Sequence, residues 1–205
     1  EIEVGDWSSD VCSSDLRRAR RENRRAFRRA RQNRRILRRA ADAANGPDPI
    51  RTRGMTFRVA AVLADSRANG PGTRYTLWLQ GCERRCDGCA NAEFQPRLGG
   101  KLRAVAAVAE EILAAPRIDG VTISGGEPFD QADAVFELIR RVRRRNDRLT
   151  FFVFSGYTFA ELDSRYAIGR RPDQPDALLC GPFRRENAPD YERFLPSANQ
   201  ELIRG

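Results

Sequence analysis

Three cysteines, Cys82, Cys86 and Cys89, lie within eight residues at C-x3-C-x2-C spacing, and the segment Ser124-Gly125-Gly126-Glu127-Pro128 begins thirty-five residues after the last of them. Thiolates are the usual ligands of iron–sulfur clusters, and a complete protein shell around a 4Fe–4S cube takes four of them. Three would leave one iron open to a ligand that is not protein. Zinc is the competing occupant. It asks for four ligands at a structural site, whereas the chain has no histidine and Cys180 stands more than ninety residues beyond Cys89. Gly81 and Gly88 flank the cysteines and let the backbone wrap closely around a cube. The paired Gly125 and Gly126 permit a similar approach, and Glu127 can accept hydrogen bonds from an ammonium group. An amino acid bound at the open iron would present one.

These residues need a frame, and the hydrophobic pattern supplies it. Strands are expected at 56–63 and 74–80, the second with Tyr75, Leu77 and Leu79 on one face and Thr76 and Trp78 on the other. A helix at 102–115 has Val105, Val108, Ala109, Ile112 and Leu113 at helical spacing and stops before Pro116. A short buried strand at 120–124 runs into the glycines. A second helix at 131–145 turns Ala134, Val135, Leu138, Ile139 and Val142 inward and the arginines of 140–145 outward, as a solvated face. A strand at 149–154, a short helix at 159–166 and a last strand at 177–180 complete the series. Strands alternating with helices argue for an α/β fold with a parallel sheet and crossover helices. There are too few such units for a complete eight-stranded barrel. Active sites of parallel sheets gather at the C-terminal ends of strands, and both the cysteine loop and the paired glycines fall at such ends.

Formal net charge is +9, and residues 17–40 alone hold 13 Arg and one acid, Glu22, leaving −3 for the rest. No other basic stripe exists, so nucleic acid is not an expected partner. Residues 1–16 have no helical or strand period and resemble a translated sequencing adapter; with the Arg-rich stretch they form an expected non-native or disordered extension over 1–54. Asn45-Gly46-Pro47-Asp48-Pro49 reads as a linker and Met55, the only methionine, as the start of the domain at 55–205. Cys12 falls in the extension and gets no role. An odd cysteine count, clustered as it is, points to a metal site in a reducing cytoplasm rather than to disulfides. No apolar run is long enough to span a membrane. Cys180 reads as a buried structural thiol.

Together the motifs resemble the radical S-adenosylmethionine superfamily, in particular the anaerobic ribonucleotide reductase-activating proteins. Asn69-Gly70-Pro71-Gly72-Thr73-Arg74 resembles the segment before that family's first strand of the cluster unit, and the stretch from Gln80-Gly81-Cys82 to Asn91 resembles its cluster loop. Ser124 to Pro128 is similar to its methionine-amino motif. Phe154-Ser155-Gly156-Tyr157-Thr158, Gly181-Pro182-Phe183 and Ser197-Ala198-Asn199-Gln200 are similar to its later landmarks, in the same order. Cys180 stands where the family usually has an acid, Ala90 where an aromatic is common, and Leu195-Pro196 where the family has Arg-Gly.

The resemblance implies a partial, open (βα) barrel. It implies that Cys82, Cys86 and Cys89 ligate a 4Fe–4S cluster, and that Gly88, Cys89, Ala90, Gly125, Gly126 and Glu127 contact S-adenosylmethionine. One electron would cleave that cofactor to methionine and a 5′-deoxyadenosyl radical, which would install a glycyl radical on a partner such as anaerobic ribonucleotide reductase. A flavodoxin- or ferredoxin-like donor would supply the electron. With the cofactor carrying the difficult chemistry, no further catalytic side chain is expected. Two other readings stand beside it: the same chemistry on another protein, peptide or small molecule, and a non-catalytic iron–sulfur or nucleic-acid-binding module.

Overall fold

A computed structural model describes residues 54–190 and 194–204. The expectations for the adapter-like segment, the Arg-rich stretch, the linker and Cys12 lie outside the described residues. Among the described residues, seven strands form one sheet: β1 (Thr56–Ser66), β2 (Arg74–Leu79), β3 (Lys101–Ala104), β4 (Gly120–Gly125), β5 (Thr150–Ser155), β6 (Ala177–Cys180) and β7 (Glu201–Arg204). Three described helices connect them: α1 (Val105–Ala114), α2 (Ala132–Arg145) and α3 (Phe159–Tyr166). The strand order is β3-β1-β2-β4-β5-β6-β7.

The fold is α/β, and the parallel sheet expected forms its centre, with antiparallel strands added at both sides. β2, β4, β5 and β6 are parallel neighbours, whereas β1, β3 and β7 pair antiparallel. The reason lies in the connections. A parallel neighbour requires a crossover, and the three helices supply crossovers only after β3, β4 and β5. β1 runs into β2 through the short Asn69-Gly70-Pro71-Gly72 turn, which can only return the chain antiparallel.

Other element ends fall within a residue or so of expectation, with three larger differences. β1 continues three residues past 63, to Ser66, through two irregularities in its register. Residues 102–104, read as the start of a helix, instead belong to β3, where Leu102 pairs with Arg58 and leaves its side chain 63% exposed. The strand at 177–180 is not the last, because β7 follows with Leu178 opposite Ile203.

Alternation decides the core. Tyr75, Leu77, Val121, Ile123, Phe151 and Val153 pack with Val108, Ile112, Leu138, Ile139 and Leu162 of the three helices. Phe152, Ala177 and Leu179 occupy the opposite face with Leu195 and, at the margin, Phe154 and Phe194. All three helices therefore cover one face, as right-handed crossovers require. α3 starts on a capping box in which Thr158 and Glu161 exchange side-chain and backbone hydrogen bonds.

The arginines of α2 form the solvated face expected only in part: Arg144 and Arg145 are exposed, whereas three others turn toward buried acids. Arg143 is 8% exposed and donates to the Asp176 carboxylate at 2.6 Å, while Arg140 and Arg141 both pair with Glu137, which is 1% exposed. Buried acids on and beside the helix draw these guanidinium groups inward, since an unpaired buried carboxylate is costly.

Candidate functional site

Four parallel strands end on the same side of the molecule. The cysteine loop follows β2, Gly126-Glu127-Pro128 follows β4, Gly156-Tyr157-Thr158 follows β5 and Gly181-Pro182 follows β6. The cysteine loop is tied at its base by backbone hydrogen bonds from Gly81 N–H to Phe94 C=O (2.8 Å) and from Cys82 N–H to Gln95 C=O (2.9 Å). Gln80 adds a side-chain bond to the Pro96 carbonyl at 2.7 Å, and Gln131 donates to the Gln80 carbonyl at 3.1 Å. Backbone and side-chain hydrogen bonds thus frame the base of the loop. Its turns use left-handed backbone at Gly81 (φ 100°), Arg85 (φ 48°) and Gly88 (φ 64°).

Cys82, Cys86 and Cys89 are free thiols at intermediate exposure. Cys82 Sγ accepts the Arg84 N–H at 3.4 Å, and partial burial pushes its thiol above the ordinary range. A pocket of about 570 Å3 beside it is lined by Glu83, Arg85, Ala92, Gln95, Pro96 and Arg97. Among the described residues, no three or more Cys, Asp or Glu side chains converge as ligands of a single metal ion. A four-iron cube makes a different demand, since each thiolate binds its own iron. Three free thiols on one glycine-turned loop fit that donor chemistry.

The glycines are required by contact. At Gly126 a β-carbon would lie 2.1 Å from the Gly81 carbonyl oxygen, and at Gly125, whose φ is 106°, one would lie 2.4 Å from Leu79 backbone atoms. Gly126 N–H donates to Leu79 C=O at 2.7 Å and Glu127 N–H to Gly81 C=O at 2.8 Å. The segment is therefore stitched onto the base of the cysteine loop. Gly88 and Ala90 are exposed, with the Arg185 stem packed over Gly88.

Glu127 is the electrostatic centre of the arrangement. Its carboxylate is 1% exposed and accepts from Phe129 N–H (3.0 Å), Ser155 Oγ (2.9 Å) and Gly156 N–H (2.7 Å). All three donors are neutral. Burial outweighs them and pushes the carboxyl up to about 7. A cation brought beside it would reverse that shift. Ser155, Gly156, Tyr157, Asp130 and Arg84 surround this centre, and none of them is among the site residues that the sequence marks. The landmark Phe154 to Thr158 is the one signal in the sequence that points to Ser155, Gly156 and Tyr157.

A family model described as a 4Fe-4S single cluster domain matches residues 68–203. The anaerobic ribonucleoside-triphosphate reductase-activating protein of Vibrio cholerae is 35% identical over 144 residues, which cover 66% of this chain and 90% of the relative. The protein of the same name from Haemophilus influenzae is 33% identical over the same shares. That from Enterobacteria phage T4 is 27% identical over 65% of this chain and 85% of its own. The chain belongs to the anaerobic ribonucleoside-triphosphate reductase-activating protein family.

Not every landmark of the activating-protein family serves the site. Asn69 to Arg74 lies at the opposite ends of the parallel strands, where Gly70 packs against Phe152 and Thr122, and Gly72 against Asp119. There Arg74 is buried beneath β4 and β5 and donates to Thr122, Val121 and Thr150. Cys180, at the end of β6, is 1% exposed, and burial pushes its thiol up to about 11. It is buried, as expected. No helix among the described residues is long and apolar enough to cross a membrane.

Proposed function

We propose that the chain activates an anaerobic ribonucleotide reductase by reductive cleavage of S-adenosylmethionine at a 4Fe–4S cluster, leaving a glycyl radical on that partner. The observation that carries this reading is the stitching of Gly126 and Glu127 onto the base of the cysteine loop, with a buried carboxylate held only by neutral donors. In it, Cys82, Cys86 and Cys89 hold the cluster. The chemistry such a cluster would supply is one-electron reduction of the cofactor's sulfonium, which would provide the oxidising equivalent needed at a glycine of the partner.

The chain's own residues bind and orient. Gly88, Cys89 and Ala90 border one side of the cofactor, and Gly125 and Gly126, packed against the Leu79 and Gly81 backbone, bring the other side of its site up to the cysteine loop. Glu127 compensates the cofactor's ammonium, whose positive charge draws the buried carboxyl back below about 7 and holds it ionised. Helices on one face and parallel strands in sequential order β2-β4-β5-β6 support a partial, open (βα) barrel. The catalytic domain is residues 55–205, working in the cytoplasm with a flavodoxin- or ferredoxin-like electron donor. The relatives' names support the choice of partner.

Anaerobic reconstitution with iron and sulfide, then dithionite and S-adenosylmethionine, tests the reading. Methionine and 5′-deoxyadenosine should form in equal amounts, and Cys86→Ala should abolish both. A stable cluster without cleavage would overturn it.

A further inference from the structure

The loop between Cys82 and Cys86 is held from outside by several side chains: Arg97 pairs with Glu83, and two further ties converge on Tyr157. Arg84 sits with its Cζ 4.8 Å from the centroid of the Tyr157 ring and its Nη1 3.2 Å from Glu161 Oε1. Its stem packs on Gly156, where a β-carbon would come within 3.2 Å of Arg84 Cγ. A second tie runs beside it: Tyr157 Oη donates to Asp130 Oδ1 at 2.8 Å, and Asp130 Oδ2 accepts the Glu83 N–H at 3.3 Å. The backbone N–H of Arg84 itself points at Cys82 Sγ. The side chain that grips α3 and the β5 loop therefore belongs to the residue whose amide meets the thiol.

We propose that Arg84 is a positioning residue for Cys82, clamping the loop onto Tyr157 and Glu161 so that its amide is held against the thiolate. This rests on the reading of Cys82 as a cluster ligand. Hydrogen bonds to the sulfurs are one of the quantities that set a cluster's reduction potential. The clamp thereby ties that potential to α3, an element that carries no ligand. A cation over an aromatic ring and a partly exposed ion pair are each modest, but both act on one short loop.

The test uses the full chain. In cluster-free protein, Arg84→Ala should speed amide hydrogen exchange across residues 82–86 by about tenfold while leaving α3 unchanged, and Arg84→Lys should recover most of the protection. After reconstitution, Arg84→Ala should bind the cluster with a lower midpoint potential. A tenfold shift in the one-electron equilibrium would read as about 59 mV. Tyr157→Phe, which keeps the ring and loses the Asp130 bond, should fall between wild type and Arg84→Ala in both measurements. Unchanged exchange in the loop, acceleration spread evenly through α3, or a potential equal to wild type would each overturn the proposal. If wild-type protein takes up no cluster, the proposed function fails, and the exchange experiment alone decides whether the clamp exists.

Discussion

Two buried charges stand at opposite ends of the same parallel strands, and protein solvates both. Arg74, at the N-terminal ends, is 0% exposed and places five hydrogen bonds on neutral oxygens of Pro71, Val121, Thr122 and Thr150. A guanidinium has five N–H donors, so its capacity is filled. Burial draws its pKa down to about 10, with Asp176 and Asp119 opposing, and it stays charged at neutral pH. Glu127, at the C-terminal ends, has three neutral donors for an anion that can accept about four bonds, and titrates near neutrality. A saturated cation acts as a rivet, whereas an undercompensated anion is ready for a ligand. The fold fixes one end of its strands and leaves the other poised.

The contrast breaks most sharply at Arg74. Arg74→Met should remove about 4 kcal/mol of stability, because it strands buried carbonyl and hydroxyl acceptors, and urea unfolding will measure it. A loss below about 1 kcal/mol would show that the rivet does not hold the fold.

At the other end the test is pH. A carboxyl whose pKa rises on folding from 4.5 to about 7 binds its proton more tightly in the folded state. Its contribution is full below the unfolded value and is lost as pH rises through about 7, a swing of about 3 kcal/mol. Stability of the cluster-free chain, measured relative to Glu127→Gln across that window, should fall by this amount. A flat difference would mean that Glu127 is already compensated.

The smallest effect sharpens the comparison. Ser155→Ala removes one donor to Glu127 and should cost about 1 kcal/mol at pH 8, where the carboxylate is ionised, and less at pH 5. Equal cost at both pH values would place the hydroxyl's value in packing rather than in the charge.

The sequence disclosed most where the period is local. Val105, Val108, Ala109 and Ile112 mark the buried side of α1, and Val135, Leu138, Ile139 and Val142 that of α2. Cysteine spacing and paired glycines located the ends of β2 and β4. Pairing across the sheet left weaker traces. β3 and β7 are four-residue edge strands with exposed or half-exposed side chains, so neither has an apolar rhythm to read. Arg143 looked like one more surface charge, since its partner Asp176 lies 33 residues away. The environment of Glu127 was equally hidden, because Ser155 and Gly156 reach it from the neighbouring strand end.

The backbone bonds that close the cysteine loop at Gly81 and Cys82 carry a consequence for life in air. Small metal-dependent domains often unfold when stripped, because their sites exist only around the ion. Here the base of the loop is closed by amide and carbonyl groups bonded to one another, none of them a ligand in the proposed reading. On the proposed reading, oxygen that destroys the cluster would empty the protein without unmaking it. Repair would then require only iron, sulfide and reductant, not new synthesis.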